Sequence, residues 1–327
     1  MSVPDDRRPT LAFAGATHTG MVREANEDNY VAEPMVFAVA DGMGGHAAGE
    51  VASEIAADRL RARLKDGAAS VDLMVAAVVE ANAAIFQAAH SDSSQRGMGT
   101  TVVALAALVG PAFPTRLVLA NVCDSRAYLF RDGILKRISV DHSYVQELVS
   151  TGHITEHEAR THPRRNIVTR ALGIEPTVKV DTWVLPLVRG DRYLLCSDGL
   201  VDEVDDLDIS IILEQESDQQ AAADRLVAKA NDNGGHDNTS VIVIDVLEGD
   251  EDPPVDFVPE FRPEVVLVDA DPPPHGNPEI IVVPDEVEPP GRLRALLGTR
   301  RRRVVAAVEA VVVVAAIATV VALVLGG

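Results

Sequence analysis

Only two cysteines, Cys123 and Cys196, occur in 327 residues, which excludes a disulfide framework as the source of stability. Each sits among apolar residues in a strand-like run, so both are expected to be free, buried thiols. The chain is also poor in positive charge: 29 Lys and Arg stand against 50 Asp and Glu, for a net charge of -21 and a pI of about 4.7. That balance excludes nucleic acid as a partner, because phosphate backbones attract basic faces. Acidity by itself reads as a solvated, solubilising surface, and it also suits a protein that gathers divalent cations. The opening residues MSVPDDRRPT lack the apolar core of a secretory signal, so the N-terminal region is expected in the cytoplasm. What is present is a hydrophobic content of 47%, ample for a large buried core.

After a short tail, residues 1–9, apolar strand-like runs alternate with amphipathic segments as far as residue 248. The spacing predicts strands over Met35–Ala40, Thr101–Val109, Arg116–Val122, Arg126–Phe130, Tyr193–Cys196 and Ser240–Val246, rich in branched and apolar residues. Helices are predicted over Glu50–Lys65, with Ala52, Ile55, Ala56, Leu60 and Leu64 on one stripe, and over the alanine-rich Val71–Ala89. Two more, Leu207–Gln215 and Asp218–Asn231, precede the last strand. Strands and helices mix without a regular βαβ beat, which points to an α+β layered sandwich with antiparallel sheets.

The texture changes after residue 248. Gly249–Pro290 holds eleven prolines, twelve acidic residues and one arginine, the composition of an extended, disordered linker, and residues 249–299 are assigned to it. Two short apolar islands interrupt it, Glu264–Val268 and Ile280–Val283. Four arginines, 300–303, then precede Val304–Leu325, a run of twenty-two residues with a single charge, Glu309. That length spans a bilayer as a transmembrane helix, and the flanking arginines orient it with residues 1–303 in the cytoplasm. The expectation is a single-pass protein of the cell membrane, held to lipid by its C-terminal helix.

Three aspartates sit beside glycine or lead into a strand: Ala40-Asp41-Gly42, Ser197-Asp198-Gly199 and His236-Asp237-Asn238. One Asp-Gly pair alone reads as a turn. Three of them bordering hydrophobic strands suggest carboxylates on a rigid base, facing open space, as an oxygen-ligated cation needs. Carboxylate and carbonyl ligands suit Mg²⁺ or Mn²⁺, whereas zinc would call for clustered Cys and His, and neither His46 nor His236 has zinc-motif spacing.

Taken with these, Gly20-Met21-Val22-Arg23-Glu24-Ala25-Asn26-Glu27-Asp28, Asp41-Gly42-Met43-Gly44-Gly45-His46, Gly99-Thr100-Thr101, Asn121-Val122-Cys123-Asp124-Ser125-Arg126, Asp141-His142-Ser143, Arg170-Ala171-Leu172-Gly173, Ser197-Asp198-Gly199 and Asp237-Asn238-Thr239 form an ordered series. In that order the chain resembles the bacterial type 2C (PPM) metal-dependent protein serine/threonine phosphatases, and among them the membrane-anchored actinobacterial forms, over residues 10–248.

The resemblance implies a four-layer αββα sandwich with metals in a cleft at one end of the sheets. It implies that Asp41 bridges two Mn²⁺ or Mg²⁺ ions, that the Gly42 carbonyl binds one, and that Asp198 and Asp237 complete the other. Asp124, with Asp198, matches a third metal site. Arg23 matches a phosphate-binding arginine, and Glu27 and Asp28 match acids that hold metal-coordinated waters. The implied reaction is hydrolysis of phosphoserine and phosphothreonine in proteins by a metal-activated water, reversing serine/threonine kinase signalling, with membrane serine/threonine kinases among the substrates. Two departures stand out. Met43 replaces the histidine of some eukaryotic members, leaving the general acid unassigned between His46 and a metal-bound water. Cys123 replaces a common glycine, which is expected to shift or weaken the third site. Residues 142–169 resemble a flap beside the active site. Two other readings stay open: a non-catalytic pseudophosphatase scaffold, against which the intact ligand set speaks, and a phosphatase of an anti-sigma-antagonist type regulator.

Overall fold

The computed structural model describes residues 9–45, 47–109 and 116–251, together with the strands Glu260–Val266 and Ile281–Val282. Two antiparallel sheets form its centre. The first contains β1 (Leu11–His18), β7 (Arg126–Arg131), β8 (Ile134–Arg137), β10 (Arg192–Cys196) and β11 (Thr239–Val246) in the order β1-β11-β10-β7-β8. The second is built from β2 (Asp28–Glu33), β3 (Val36–Met43), β5 (Val102–Leu108), β6 (Arg116–Val122) and β9 (Val180–Pro186), ordered β9-β6-β5-β3-β2, with the short β4 (Gly99–Thr100) pairing to the end of β3.

Strand alternation accounts for the layering. On β3, Phe37 and Val39 point into the core between the sheets with Val103, Leu105, Leu117, Leu119, Tyr193, Leu195, Ile242 and Ile244. Their neighbours Val36, Ala38 and Ala40 point the other way, against α1 (Ala47–Leu64) and α2 (Val71–Ser91). The outer face of the first sheet, with Leu194, Cys196, Val241 and Val243, packs on α5 (Asp198–Glu203), α6 (Asp206–Gln215) and α7 (Gln219–Asn233). Each sheet is therefore buried on both faces, and its strands read as continuous apolar runs. Helix α2 is long and apolar enough to cross a membrane, but half of it is buried in this core, as its alanine-rich stripe predicts.

All six predicted strands and all four predicted helices are present, with ends shifted by a few residues. Not anticipated were β1, β2, β4, β8, β9 and the short helices α3 (Tyr144–Ser150), α4 (Glu156–Arg160) and α5. The predicted linker also departs from expectation. Asp250 exchanges backbone hydrogen bonds with Leu187 and Arg189, and β12 (Glu260–Val266) lies antiparallel on β9, with Glu260 opposite Val184 and Val265 opposite Val180. Strand β13 (Ile281–Val282) pairs in turn with β12. The two apolar islands thus coincide with strand pairing, because an open sheet edge offers backbone partners that an extended apolar segment can use. Pro263, which has no N–H to give, falls where the β12 register shifts between Arg262 and Val265. The arginines 300–303 and the segment 304–325 lie outside the described residues.

Candidate functional site

The predicted site residues meet where the two sheets end together. Asp28 opens β2 and lies directly opposite Asp41 on β3, so their Cβ atoms are about 5 Å apart. Asp28 also ties the sheets to each other: Ser197, just beyond β10, donates its hydroxyl to Asp28 Oδ2 at 2.8 Å, and the same hydroxyl accepts from the Ser240 N–H of β11 at 2.9 Å. Ser197 is the N-cap of α5 but makes no side-chain cap, since its hydroxyl is spent on Asp28. The next residue, Asp198, thereby enters the centre from the first turn of a helix.

The backbone of Asp41 is held from both sides. Its N–H donates to Thr101 Oγ1 at 2.9 Å, and its carbonyl accepts from the Thr101 N–H at 2.9 Å and from Thr100 Oγ1 at 2.8 Å. That is the local reason for the Gly-Thr-Thr motif. The glycines after Asp41 and Asp198 do not mark turns. A Cβ on Gly42 would lie 2.2 Å from the Gly49 carbonyl oxygen, and one on Gly199 would lie 2.0 Å from that of Asn238. Backbones cross at both points, and only glycine leaves them room.

Arg23, Glu27 and Asp237 form the rim. The Arg23 guanidinium, 52% exposed, contacts Asp237 Oδ2 at 2.5 Å. The phosphate-matching arginine and a metal-matching carboxylate are thus paired with each other here. Asn238 fixes the loop that carries Arg23 and Glu27: its Oδ1 accepts from the Glu27 N–H at 2.8 Å, and its Nδ2 donates to the carbonyls of Thr19 at 2.8 Å and Ala25 at 2.9 Å. The Glu27 carbonyl accepts from Ser53 Oγ at 2.6 Å and from the Gly42 N–H at 3.2 Å.

Asp124 follows β6 on the far side of the centre, beside Cys123, whose φ is +87°. A left-handed backbone strains any residue but glycine, which is the physical reason a glycine suits this position. Cys123 is held there nonetheless. Its N–H donates to His142 Nδ1 at 2.8 Å, its carbonyl accepts from the His142 N–H at 2.9 Å, and its thiol lies 3.2 Å from Asp124 Oδ1. Burial, and then Asp124, push that thiol well above its ordinary pKa. Cys123 and Cys196 are both free and buried.

His142 Nδ1 accepts from Cys123, so Nε2 carries the proton and faces Asp181 Oδ2 at 3.1 Å. Burial raises Asp181, but His142 and Arg170 outweigh it and hold this carboxyl below the usual range. Asp141 is committed to Arg126, which reaches it through Nε and through Nη2 at 2.6 Å. The flap begins and ends at this network: Thr169 N–H donates to the His142 carbonyl and Tyr144 N–H to that of Ile167, both at 2.8 Å. Between the flap helices and the centre lies a cavity of about 490 Å³ lined by Asp124, Asp198, Asp202, Arg137, Arg160 and Arg165, among others.

The charge balance of the centre calls for a cation. Loss of hydration raises Asp41 well above the usual carboxylate range, and repulsion from Asp28, Asp198, Asp124 and Asp237 adds to it. Loss of hydration likewise raises Asp198, with repulsion from Asp124, Asp202 and Asp237, raises Asp124, with repulsion from Asp141, and brings Asp28, beside Asp237, up to about 6. Asp28 Oδ1 and Asp198 Oδ1 are buried with no hydrogen-bond partner. A buried carboxylate oxygen without a donor is costly, and a divalent cation answers both the missing partner and the crowded charge. No three of the described Asp, Glu, His or Cys side chains converge at metal-ligand spacing, and Asp237 is engaged by Arg23. The crowded carboxylates and their unpartnered oxygens therefore fit a divalent oxygen-ligated ion in chemistry.

Sequence reasoning left three contributors without a role. Asn238 was visible in its motif, but its buried amide bridging to residues 19–27 requires the fold. Ser197 looked like part of an Asp-Gly motif and is the link between Asp28 and β11. Asp202, one helical turn beyond Asp198, had no motif to mark it. His46 lies outside the described residues, and the His236 imidazole is hydrogen-bonded to Glu203 Oε1 at 2.6 Å.

The protein phosphatase 2C family profile matches residues 23–231. The serine/threonine phosphatase stp of Listeria monocytogenes is 40% identical over 241 residues, covering 70% of this chain and 93% of that protein. The serine/threonine protein phosphatase PstP of Mycobacterium tuberculosis is 43% identical over 246 residues, 73% of this chain and 46% of PstP. Among solved structures, the catalytic domain of PstP in complex with two manganese ions superposes with a TM-score of 0.64 at 40% identity, covering 73% of this chain and 99% of that one. The sandwich, the crowded aspartates and these relatives agree, and the chain belongs to the protein phosphatase 2C family as a protein serine/threonine phosphatase.

Proposed function

We propose that this phosphatase removes phosphate from serine and threonine side chains of proteins at the cytoplasmic face of a membrane, with Mn²⁺ or Mg²⁺ held by Asp41, the Gly42 carbonyl, Asp198 and Asp237. Asp124, with Asp198, is the place for a third ion. The observation that carries this reading is the group of mutually repelling carboxylates, two of them with buried unpartnered oxygens, beside an exposed arginine. When bound, the ions supply Lewis acidity, drawing charge from the phosphoryl oxygens and making water a competent nucleophile at neutral pH.

The chain's own residues do the rest. Arg23 offers a planar fork of N–H donors which, turned from Asp237 to the phosphoryl group, clamps two of its oxygens and balances charge that grows as the ester breaks. Asp28, fixed by Ser197, and Glu27, fixed through its backbone by Asn238, orient water at the centre. The flap cavity next to Asp124 and Asp198 leaves space for the protein side of the substrate. Residues 304–325 as an anchor would raise the local concentration of membrane substrates, phosphorylated kinases among them.

The test uses the full chain in detergent on a phosphothreonine peptide with Mn²⁺, with EDTA, and as Asp41→Ala or Asp198→Ala. Turnover is expected only for the unaltered chain with Mn²⁺. Comparable turnover in all four conditions would refute the metal-dependent reading, and full membrane recovery after deletion of residues 304–325 would refute the anchor.

A further inference from the structure

Two large apolar side chains stand exposed beside the reaction centre. Met21 is 67% and Val22 62% accessible, and they immediately precede Arg23. Single exposed apolar residues are common on soluble proteins. These two are consecutive, and the backbone that carries them is held in place. Met21 N–H donates to the Gly235 carbonyl at 2.7 Å, and the Asn238 amide holds the carbonyls of Thr19 and Ala25 on either side. Gly20 has φ of +85°, and a Cβ there would lie 2.3 Å from the Asp237 carbonyl oxygen. A Cβ on Gly235 would come within 2.8 Å of Met21 Cγ, so a glycine two residues before Asp237 is what admits the methionine arm. The shelf is fixed to the same backbone that carries a metal-matching carboxylate and the phosphate clamp.

Across the centre the surroundings are different. The flap cavity is lined by charged groups that already have partners: Arg137 faces Asp141 and Glu156, Arg165 faces Asp202, and Arg160 donates to the Val201 carbonyl. The cavity also has apolar lining, among it Ile138, Val145 and Val149, but the Met21–Val22 surface is the apolar part of the rim that directly adjoins Arg23 in the chain.

Resting on the phosphatase reading above, we infer that Met21 and Val22 are substrate-specificity residues, receiving a large apolar side chain within three residues of the phosphorylated serine or threonine. The reach follows from chain geometry: once Arg23 holds the phosphate, the Cα atoms of Val22 and Met21 are one and two peptide units away. An extended substrate advances at about the same 3.3–3.6 Å per residue. The backbone of the shelf is already held by hydrogen bonds, so contact orders side-chain rotamers but not the loop.

The experiment compares two phosphothreonine peptides with the full chain and Mn²⁺, identical except that the positions within three residues of the phosphothreonine carry either leucine or serine. The leucine peptide is expected to show kcat/KM about 10-fold higher, mostly through KM, the factor that covering on the order of 50 Å² of apolar surface supplies. In Met21→Ser/Val22→Ser the ratio between peptides should fall to near one, while Met21→Leu/Val22→Ile should keep it; a melting curve of each variant confirms folding. A ratio near one in the unaltered chain, or a preference that survives the double serine change, overturns the inference. Failure of the unaltered chain to hydrolyse either peptide overturns the phosphatase reading instead, and this inference with it.

Discussion

Replacing Asn238 by alanine should damage the site without touching any proposed ligand. The side chain makes three hydrogen bonds at 2.8–2.9 Å to the backbone of Thr19, Ala25 and Glu27. Each is worth about 1 kcal/mol net, and a buried partner left unpaired adds to the cost. The loop is partly exposed, so water can reach some of the freed groups. The expected loss is about 2–4 kcal/mol, which for a domain of this size lowers Tm by roughly 5–12 °C. Because the same three bonds position Arg23 and Glu27, KM for a phosphopeptide should rise while the aspartates keep their metals. Asn238→Asp separates shape from hydrogen bonding: it keeps the volume but turns a carboxylate oxygen toward the Thr19 and Ala25 carbonyls, and it should be at least as harmful as alanine. Thermal melts, Mn²⁺ titration and peptide kinetics on the three proteins check this. An Asn238→Ala protein with unchanged Tm and unchanged KM would refute the claim that this amide holds the rim.

Two further outcomes follow from the centre itself. In metal-free protein, Asp28, at about 6, and Asp41 and Asp198, well above the ordinary range, keep protons in the folded state that the unfolded chain has lost. The folded state then binds more protons, so their contribution to stability falls as pH rises from about 4 through 6. Metal binding needs the ionised forms, so the gain in Tm on adding Mn²⁺ to dialysed protein should widen over that window, and a gain that stays constant or narrows would contradict it. Cys123→Gly removes the left-handed strain at φ +87° and the thiol contact with Asp124. Calorimetric titration should show the weakest Mn²⁺ site tightening several-fold, a change of up to about 1 kcal/mol, with the two tighter sites unaltered.

The sequence disclosed most where residues obey a local rule and least where two distant segments meet. The six strands read from branched apolar runs and the four helices read from their stripes are all present, because burial on a packed face imposes those patterns. Strand β9, Val180–Pro186, is as buried as any, yet Asp181, Thr182 and Pro186 break its apolar run, and Asp181 is accounted for only by its partners His142 and Arg170. The tail beyond residue 248 reads as linker by composition, and its short islands pair as strands because β9 presents an edge to the first, which in turn offers one to the second.

The site divides along the same line. Asp41, Asp198 and Asp237 were legible as residues, but the reason for their glycine neighbours was not. An Asp-Gly pair suggests a turn, whereas Gly42 and Gly199 are demanded by carbonyls of Gly49 and Asn238 that arrive from elsewhere in the chain. A further close approach, of Gly20 to the Asp237 carbonyl, brings the Arg23 loop against Asp237. Local sequence supplies the carboxylates, and the tight contact between non-adjacent backbones decides what stands beside them. Specificity at this rim is therefore expected to change through glycine and asparagine positions as well as through residues that touch substrate.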